Sequence, residues 1–314
     1  MKNLIIYTLL ATLLMMDGWN VQAQNNKVWK TDTVIDGKGN KTITLYMQKN
    51  VVEGNGNIVM RDIDVAAFKE ISMILPATVN YKVADNYSCR VTLDENLFEW
   101  VDIYLKGDCL KVEMVKTFQQ SDVKPTKFLI ELTAPTLEKI SIMGSGDFNF
   151  VTPYEAKELK IKLTGSGEVV FEKTANIHDF DVDVAGSGDL LSKEFLADYM
   201  DISIAGSGKM VCEHLQANHL RSSVAGSGDV IIKDGKVKKA NLTVAGSGSI
   251  EARCQMESMD YSVAGTGSIS YPGDVKAVGT VVGGKINKIW GTENNKKKSC
   301  DEKPKKSKNQ TATF

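Results

Sequence analysis

Five side chains that could do chemistry each follow a repeated glycine triplet. They are Asp147, Glu168, Asp189, Lys209 and Asp229, and they recur about every 20 residues. Stacked in one outward column, such carboxylates could bind Ca²⁺ or act as acid and base on a sugar, because inverting hydrolysis places two carboxyl groups about 6.5–9.5 Å apart. Lys209 separates Asp189 from Asp229 and favours another interpretation, in which the column balances charge in solvent. No His or Arg shares this register, so we predict no catalytic residue, cofactor or metal ligand.

Glycine supplies the repeated element itself, as Gly-Ser-Gly or Gly-Thr-Gly. Because glycine has no Cβ, it suits corners where two backbones approach closely, and we interpret all of these residues as structural. The predicted turn glycines are Gly144, Gly146, Gly165, Gly167, Gly186, Gly188, Gly206, Gly208, Gly226, Gly228, Gly246, Gly248, Gly265 and Gly267. No helix is predicted after them, so they match neither a nucleophile elbow nor a phosphate-binding loop.

Apolar and polar residues alternate on both sides of every triplet. In the fourth repeat Ile202 and Ile204 flank the polar Ser203, and beyond the triplet Met210 and Cys212 continue the alternation. This period of two predicts one strand entering the glycine corner and another leaving it, each with one buried face.

The repeat length selects the fold class. About 20 residues are too few for a propeller blade but fit one coil of a parallel β-helix. We therefore predict an all-β, right-handed parallel β-helix of about seven to eight coils over residues 141–284, with right-handed winding taken from the rule for parallel crossovers. Weaker apolar columns, such as Phe180, Met200 and Leu220, predict a third side that is more irregular and closer to loop.

The segment before the repeats is also strand-rich. Residues 61–140 alternate well and are predicted to form a β-rich capping region, which covers strand edges at the open end of the stack. Within it, the turn Lys106-Gly107-Asp108 predicts a hairpin between Val101–Leu105 and Cys109–Val115. Residues 24–60 are predicted to form an N-terminal arm.

The first 23 residues have the composition of a signal peptide. Lys2 precedes an apolar run, Leu4–Met16, and small residues end at Ala23. The run is too short to span a bilayer, and we find no other segment long enough for a transmembrane helix. The sequence therefore predicts an exported protein.

Charge is distributed unevenly along the chain. Residues 24–284 hold 28 basic and 35 acidic side chains, whereas residues 285–314 hold nine lysines and three acidic residues. The last segment has too little apolar content to fold and is predicted to be a basic disordered tail. An acidic body does not suit nucleic acid, so no nucleic-acid partner is predicted.

Cysteine and histidine give no sign of a reactive site. Cys212 and Cys254 lie in inward columns about 10 Å apart at the spacing of two coils, which is beyond disulfide reach. Cys89 and Cys109 face opposite ways, and Cys300 lies in the tail. Three histidines are interpreted as surface or turn residues of the third side: His178, His214 and His219.

Several segments resemble one bacterial family. They are ISMILPATVNYKV, DENLF at 94–98, LEKISIMGSGDF, and the repeats VDVAGSGDL, ISIAGSGKM and VAGSGDV. Over roughly residues 60–284 the chain is similar to the putative auto-transporter adhesins with a head GIN domain. The resemblance implies a pectate-lyase-like β-helix, export in a Gram-negative bacterium, and an adhesive role without known catalytic residues.

The favoured hypothesis is an exported, non-enzymatic β-helix that presents a repetitive surface for adhesion. Its expected partners are glycans or components of the cell envelope or host, in the periplasm or at the outer surface, and a homo-oligomer is compatible with the sequence. A polysaccharide lyase or hydrolase of pectate-lyase-like shape is the first alternative. A periplasmic structural or signalling partner is the second.

Overall fold

A computed structural model describes residues 28–35, 41–48, 50–115 and 121–289, and about three quarters of these residues lie in strands. The predicted signal peptide and residues 290–314, with Cys300, lie outside this part of the chain. The strands are β1 (Val28–Ile35), β2 (Lys41–Gln48), β3 (Asn50–Glu53), β4 (Ile58–Ile63), β5 (Glu70–Met73), β6 (Thr78–Val83), β7 (Ser88–Asp94), β8 (Val101–Lys106), β9 (Cys109–Met114), β10 (Ser121–Lys124), β11 (Phe128–Ala134), β12 (Lys139–Gly144), β13 (Asp147–Phe150), β14 (Tyr154–Gly165), β15 (Glu168–Gly186), β16 (Asp189–Gly206), β17 (Lys209–Gly226), β18 (Asp229–Ile232), β19 (Gly235–Gly246), β20 (Ser249–Ala252), β21 (Gln255–Gly265), β22 (Ser268–Pro272), β23 (Lys276–Val282) and β24 (Lys285–Ile289). One 3-10 helix, Glu95–Leu97, follows β7.

Parallel pairing stacks each repeat on the next, in register. The first glycine of every triplet pairs with the first glycine of the following one, in the order Gly144, Gly165, Gly186, Gly206, Gly226, Gly246 and Gly265. The stack has about eight turns. The predicted all-β parallel β-helix is therefore confirmed, together with the in-register triplets on which that prediction depended.

The third side of the coil differs from the prediction. It is a regular strand, because β15, β16 and β17 each run unbroken from one triplet to the next. A coil in the middle of the stack has a hydrogen-bonding neighbour on each side, so even a polar segment stays extended there. The third side has a bend where the pairing skips one residue per coil: Lys157, His178, Asp198, Asn218 and Lys238. A second irregularity, between Phe171 and Thr174, lies where the strand that leaves the triplet meets the third side.

The capping region continues the stack before closing it. Strands β5 and β6 lie parallel to β12 and β13, and β9 and β11 lie parallel to β5 and β6. Antiparallel strands then cover the end, β7 against β11 and β4 against β7. The hairpin predicted around Gly107 is present as β8 and β9. Strand β4 spans Ile58–Ile63 and therefore crosses the predicted boundary between residues 60 and 61.

The other end of the stack extends further than predicted. Strand β24 (Lys285–Ile289) pairs in parallel with β22, and Ile286 stacks on Ile269. The first five residues of the predicted tail, 285–289, are thus part of the last coil. Their alternation of lysine and isoleucine is typical of a half-buried strand, although their charge suggested disorder.

Inward side chains form continuous apolar columns. Met210 and Val224, from the predicted inward positions, are at most 1% exposed. Aromatic rings fill the core of the first coils, with Phe150 stacked on Phe171 at 4.2 Å between ring centroids. Ser222 is an exception, because its buried hydroxyl has no hydrogen-bond partner among the described residues.

The described cysteines are free thiols. Cys212 and Cys254 are fully buried, and burial raises the pKa of each thiol to about 12. Both are therefore protonated core residues at neutral pH, with little of the thiolate that reactivity needs.

Candidate functional site

The five acidic and basic residues after the triplets do lie in one column. Consecutive members pair across adjacent coils, from Glu168 to Asp189, then Lys209, then Asp229. Asp147 precedes them, and its Oδ1 accepts a hydrogen bond from the backbone N–H of Glu168 at 3.0 Å. All five side chains are half-buried and face outward.

Three aspartates of this column each accept a backbone hydrogen bond through Oδ1. Asp189 Oδ1 accepts the N–H of Lys209 at 2.9 Å, and Asp229 Oδ1 accepts the N–H of Ser249 at 3.1 Å. Each aspartate thus joins its own coil to the next one, just beyond the glycine corner. The contacts support a structural function for the column.

Glu168 is the electrostatically unfavourable member. Desolvation raises the pKa of its carboxyl, and the neighbouring charges of Asp147 and Asp189 raise it further. A raised pKa means that the ionised side chain is disfavoured in the folded protein. Within the described residues, no group of three or more His, Cys, Asp or Glu side chains is arranged to hold a metal ion.

The glycine corners are sterically closed to other residues. Gly206 has φ +134°, and a Cβ built there would lie 2.3 Å from the carbonyl O of Gly186 in the preceding coil. The second glycine of that triplet, Gly208, would place a Cβ 2.4 Å from the carbonyl O of Gly188. Close approach of successive coils accounts for both glycines without a ligand.

A groove that was not predicted from the sequence runs along the third side of the β-helix. It crosses five coils and encloses about 710 Å³. The groove is lined by Glu155, Ala156, Lys157, Asn176, His178, Leu196, Ala197, Asp198, Gln216, Ala217, Asn218, Lys236 and Lys238. Its floor is one in-register column that includes three alanines, and small floor residues beside the bend leave the concavity open.

The walls of the groove carry amides and charges. Asp198 is engaged on both sides, since its carboxylate accepts a hydrogen bond from Asn218 Nδ2 and lies 2.9 Å from His178 Nε2. By contrast, Lys157, Lys236 and Lys238 form no ion pair with any described carboxylate. The groove therefore carries free positive charge on a body that is acidic overall.

The predicted surface histidines lie on the third side. His178 lines the groove, and the ring of His219 stacks on Tyr199 with 4.8 Å between centroids and 6° between planes. His214 Nδ1 lies 3.2 Å from a carboxylate oxygen of Asp234. Tyr199 is 53% exposed, more than any other Phe, Tyr or Trp side chain whose burial the structure describes.

A second, more acidic trough of about 470 Å³ lies beyond Tyr199. Its carboxylates belong to Glu70, Glu138, Glu158, Asp179, Asp181 and Asp201. Lys160 forms an ion pair with Asp181, and desolvation raises the pKa of Asp201. The described lysines of this trough are paired, unlike those of the groove.

Aligned by coil, the sequence does contain a sign of the groove. The column Ala156, Ile177, Ala197, Ala217 and Val237 has three alanines at a position that is otherwise inward and larger. The pattern is visible only once the register of the third side is known. A local search for catalytic or ligand-binding motifs does not find this pattern, because each coil supplies only two or three groove residues.

Known proteins share both this sequence pattern and this fold. The family model "Putative auto-transporter adhesin, head GIN domain" matches residues 67–234 and 181–287. No curated protein sequence matches the chain significantly. The described residues contain no helix long and apolar enough to cross a bilayer.

Three solved structures have similar folds over 76% of this chain. A putative adhesin from Parabacteroides merdae is 23% identical, with a TM-score of 0.67 and 99% of its own length covered. A putative adhesin from Parabacteroides distasonis is 24% identical, with a TM-score of 0.68 and 100% coverage. A putative lipid binding protein from the same species is 27% identical, with a TM-score of 0.60 and 100% coverage. Given the extent of the family match, this chain belongs to the family of putative auto-transporter adhesins with a head GIN domain.

Proposed function

We propose that the protein is exported and acts without catalysis, presenting the outer surface of its β-helix for adhesion to glycans or to components of the cell envelope or host. The family is described as adhesive, and two of the similar structures are putative adhesins. The proposed location is the periplasm or the outer surface of a Gram-negative cell.

The observation that carries this proposal is the continuity of the outward columns. In-register pairing holds corresponding side chains of adjacent coils about 4.8 Å apart, so each outward position becomes a line along the rod. The 710 Å³ concavity is an open groove on that surface. Such geometry suits an extended partner better than a small substrate that must be enclosed.

The contacts of the charged column favour adhesion over the enzymatic alternative. Asp189 and Asp229 each accept a backbone hydrogen bond from the next coil through Oδ1, and this coil-to-coil contact accounts for both carboxylates without catalysis. Fold alone does not carry function, so the pectate-lyase-like shape adds no support for catalysis.

Adhesion of beads coated with the purified full chain tests the proposal. We expect the beads to adhere to at least one of three surfaces: isolated bacterial envelopes, mucin, or immobilised polysaccharide. Beads coated with a heat-denatured sample are the control. Phospholipid-coated surfaces are a fourth arm, because one similar structure is a putative lipid binding protein. Binding to lipid alone, or to none of the four surfaces, would contradict adhesion to glycans and envelope.

Proteolysis of intact cells separates the surface location from the periplasmic alternative. Cleavage of the protein by added protease is expected for an adhesin on the outer surface. Protection in intact cells, followed by cleavage after the outer membrane is permeabilised, would instead support a periplasmic structural or signalling partner.

A further inference from the structure

The groove has the dimensions of a site for a linear polymer. Five coils line it, and four spacings of about 4.8 Å give a length of about 19 Å along the rod axis. One wall is the in-register column Glu155, Asn176, Leu196, Gln216 and Lys236. The other wall is formed at the bend by Lys157, His178, Asp198, Asn218 and Lys238. Such a groove can contact several consecutive units of an extended chain.

The charge of the groove indicates an anionic partner. Lys236 and Lys238 lie together at the C-terminal end of the groove, and Lys239 follows on the same coil. None of the three forms an ion pair with a described carboxylate, although the body as a whole is acidic. Unpaired cations concentrated in one concave strip attract a polyanion selectively to that strip.

The neutral side chains of the groove indicate that the bound polymer carries hydroxyl groups between its anionic groups. The amides of Asn176 and Gln216 have no hydrogen-bond partner among the described side chains, and an amide both donates and accepts. Glu155 and Asp198 lie farther along the groove and would repel a polymer charged on every unit. A sugar chain that alternates acidic and neutral units fits this distribution, whereas a nucleic acid, with one phosphate per nucleotide, does not.

Two other occupants fit less well. The groove has no deep apolar cavity for an acyl chain, since Leu196 is the one large aliphatic side chain in its lining. A peptide strand would need a free sheet edge, but β15, β16 and β17 are paired on both sides along the groove.

We propose that this groove binds a linear anionic polysaccharide in which carboxylated sugars alternate with neutral ones. Lys236 and Lys238 contact the carboxylates, and the amides of Asn176 and Gln216 bind the sugar hydroxyls. The stacked Tyr199–His219 pair beside the groove adds an exposed ring surface for the apolar face of a sugar. This inference rests on the proposed adhesive function and names its ligand class.

Affinity electrophoresis of the full chain in gels containing hyaluronan tests the proposal. Hyaluronan alternates uronic acid and neutral sugar units, and uncharged dextran and a single-stranded oligonucleotide are the comparison ligands. We expect retardation in hyaluronan that weakens with added salt. The double variant Lys236→Gln/Lys238→Gln should lose affinity by about tenfold or more.

The matched control is Lys276→Gln/Lys288→Gln, which removes two exposed lysines of the last coil, outside the groove. We expect this control to bind within about twofold of the unaltered chain, and both variants to keep its melting temperature. Equal losses in the two double variants, an unchanged affinity in the groove variant, or equally tight binding of dextran or the oligonucleotide would overturn the proposal.

The bead assay distinguishes failure of the groove proposal from failure of the proposed function. If the groove variant adheres to envelopes or mucin as well as the unaltered chain does, the groove assignment is wrong and adhesion stands. If the unaltered chain adheres to none of the surfaces, adhesion itself is wrong.

Discussion

At the scale of single residues, contacts between segments distant in sequence explain side chains that local sequence leaves unexplained. Asp94, the last residue of β7 in the capping region, is fully buried and joins two loops. Its Oδ1 accepts the N–H of Gly56 at 2.8 Å, and its Oδ2 accepts the N–H of Thr126 at 2.8 Å. Gly54 has no side chain because a Cβ there would lie 2.3 Å from the Asp94 carboxyl carbon.

The corner glycines lead to a prediction about stability. We expect Gly206→Ala to lower the free energy of unfolding by about 3 kcal/mol or more, because it combines positive φ with a clash against the Gly186 carbonyl. Gly107→Ala is the control, since its φ is +62° but no atom lies within 4 Å of the added Cβ, and it should cost about 1 kcal/mol. Urea unfolding measures both. Equal costs would show that coil spacing does not constrain the corner.

Asp94 leads to a prediction about acid stability. Burial alone would raise the pKa of its carboxyl, but hydrogen bonds from Gly56, Thr126 and Lys127 lower it below its ordinary value. A lowered folded-state pKa stabilises the protein above the unfolded pKa of about 3.9, and this stabilisation is lost as pH falls through the folded-state pKa. Asp94→Asn should therefore lower the urea midpoint at pH 7 and have a smaller effect below about pH 4.

The control for this prediction is Asp64→Asn, at an exposed side chain. It should leave the urea midpoint nearly unchanged at both pH values. An Asp94→Asn effect that is the same at pH 3 and at pH 7 would contradict the role given to the ionised carboxylate.

At the scale of elements, the strands around the triplets could be predicted from the sequence. The regular strand of the third side and the order in which the strands of the capping region pair could not. Met210 and Val224 were assigned inward because strict alternation needs no tertiary information. The third side carries polar residues and a bend, and pairing with coils on both sides keeps it extended. Strand β4 pairs with β7 through Ile58 and Asp94, 36 residues apart, a separation that local periodicity does not report.

The inward or outward direction of each side chain on a strand leads to a prediction that compares two variants. Val224→Asp introduces a charge at a fully buried position and should destabilise the protein by at least about 3 kcal/mol. On the same strand, Lys209→Ser changes an outward side chain whose backbone N–H, not its amine, bonds Asp189, and should change stability by less than about 0.5 kcal/mol. Chemical denaturation compares them, and reversed magnitudes would mean that the inward and outward faces are exchanged.

At the scale of the whole molecule, the coil stack converts a 20-residue pattern into a surface with long lines of equivalent side chains. The column of aspartates helps to bind coil to coil, and the groove on another side concentrates free lysines against an acidic background. If the proposed function is right, recognition occupies a different side of the rod from the aspartate column that joins coil to coil.

Binding without cleavage is the most direct test of this account. The purified full chain is incubated with hyaluronan and polygalacturonate of defined length, and polymer retention and polymer length are measured in the same sample. We predict that hyaluronan is retained, that polygalacturonate, with a carboxylate on every unit, is retained less, and that both polymers keep their length. Shortened chains whose formation is abolished in Asp189→Asn, or failure to retain hyaluronan, would contradict adhesion without catalysis.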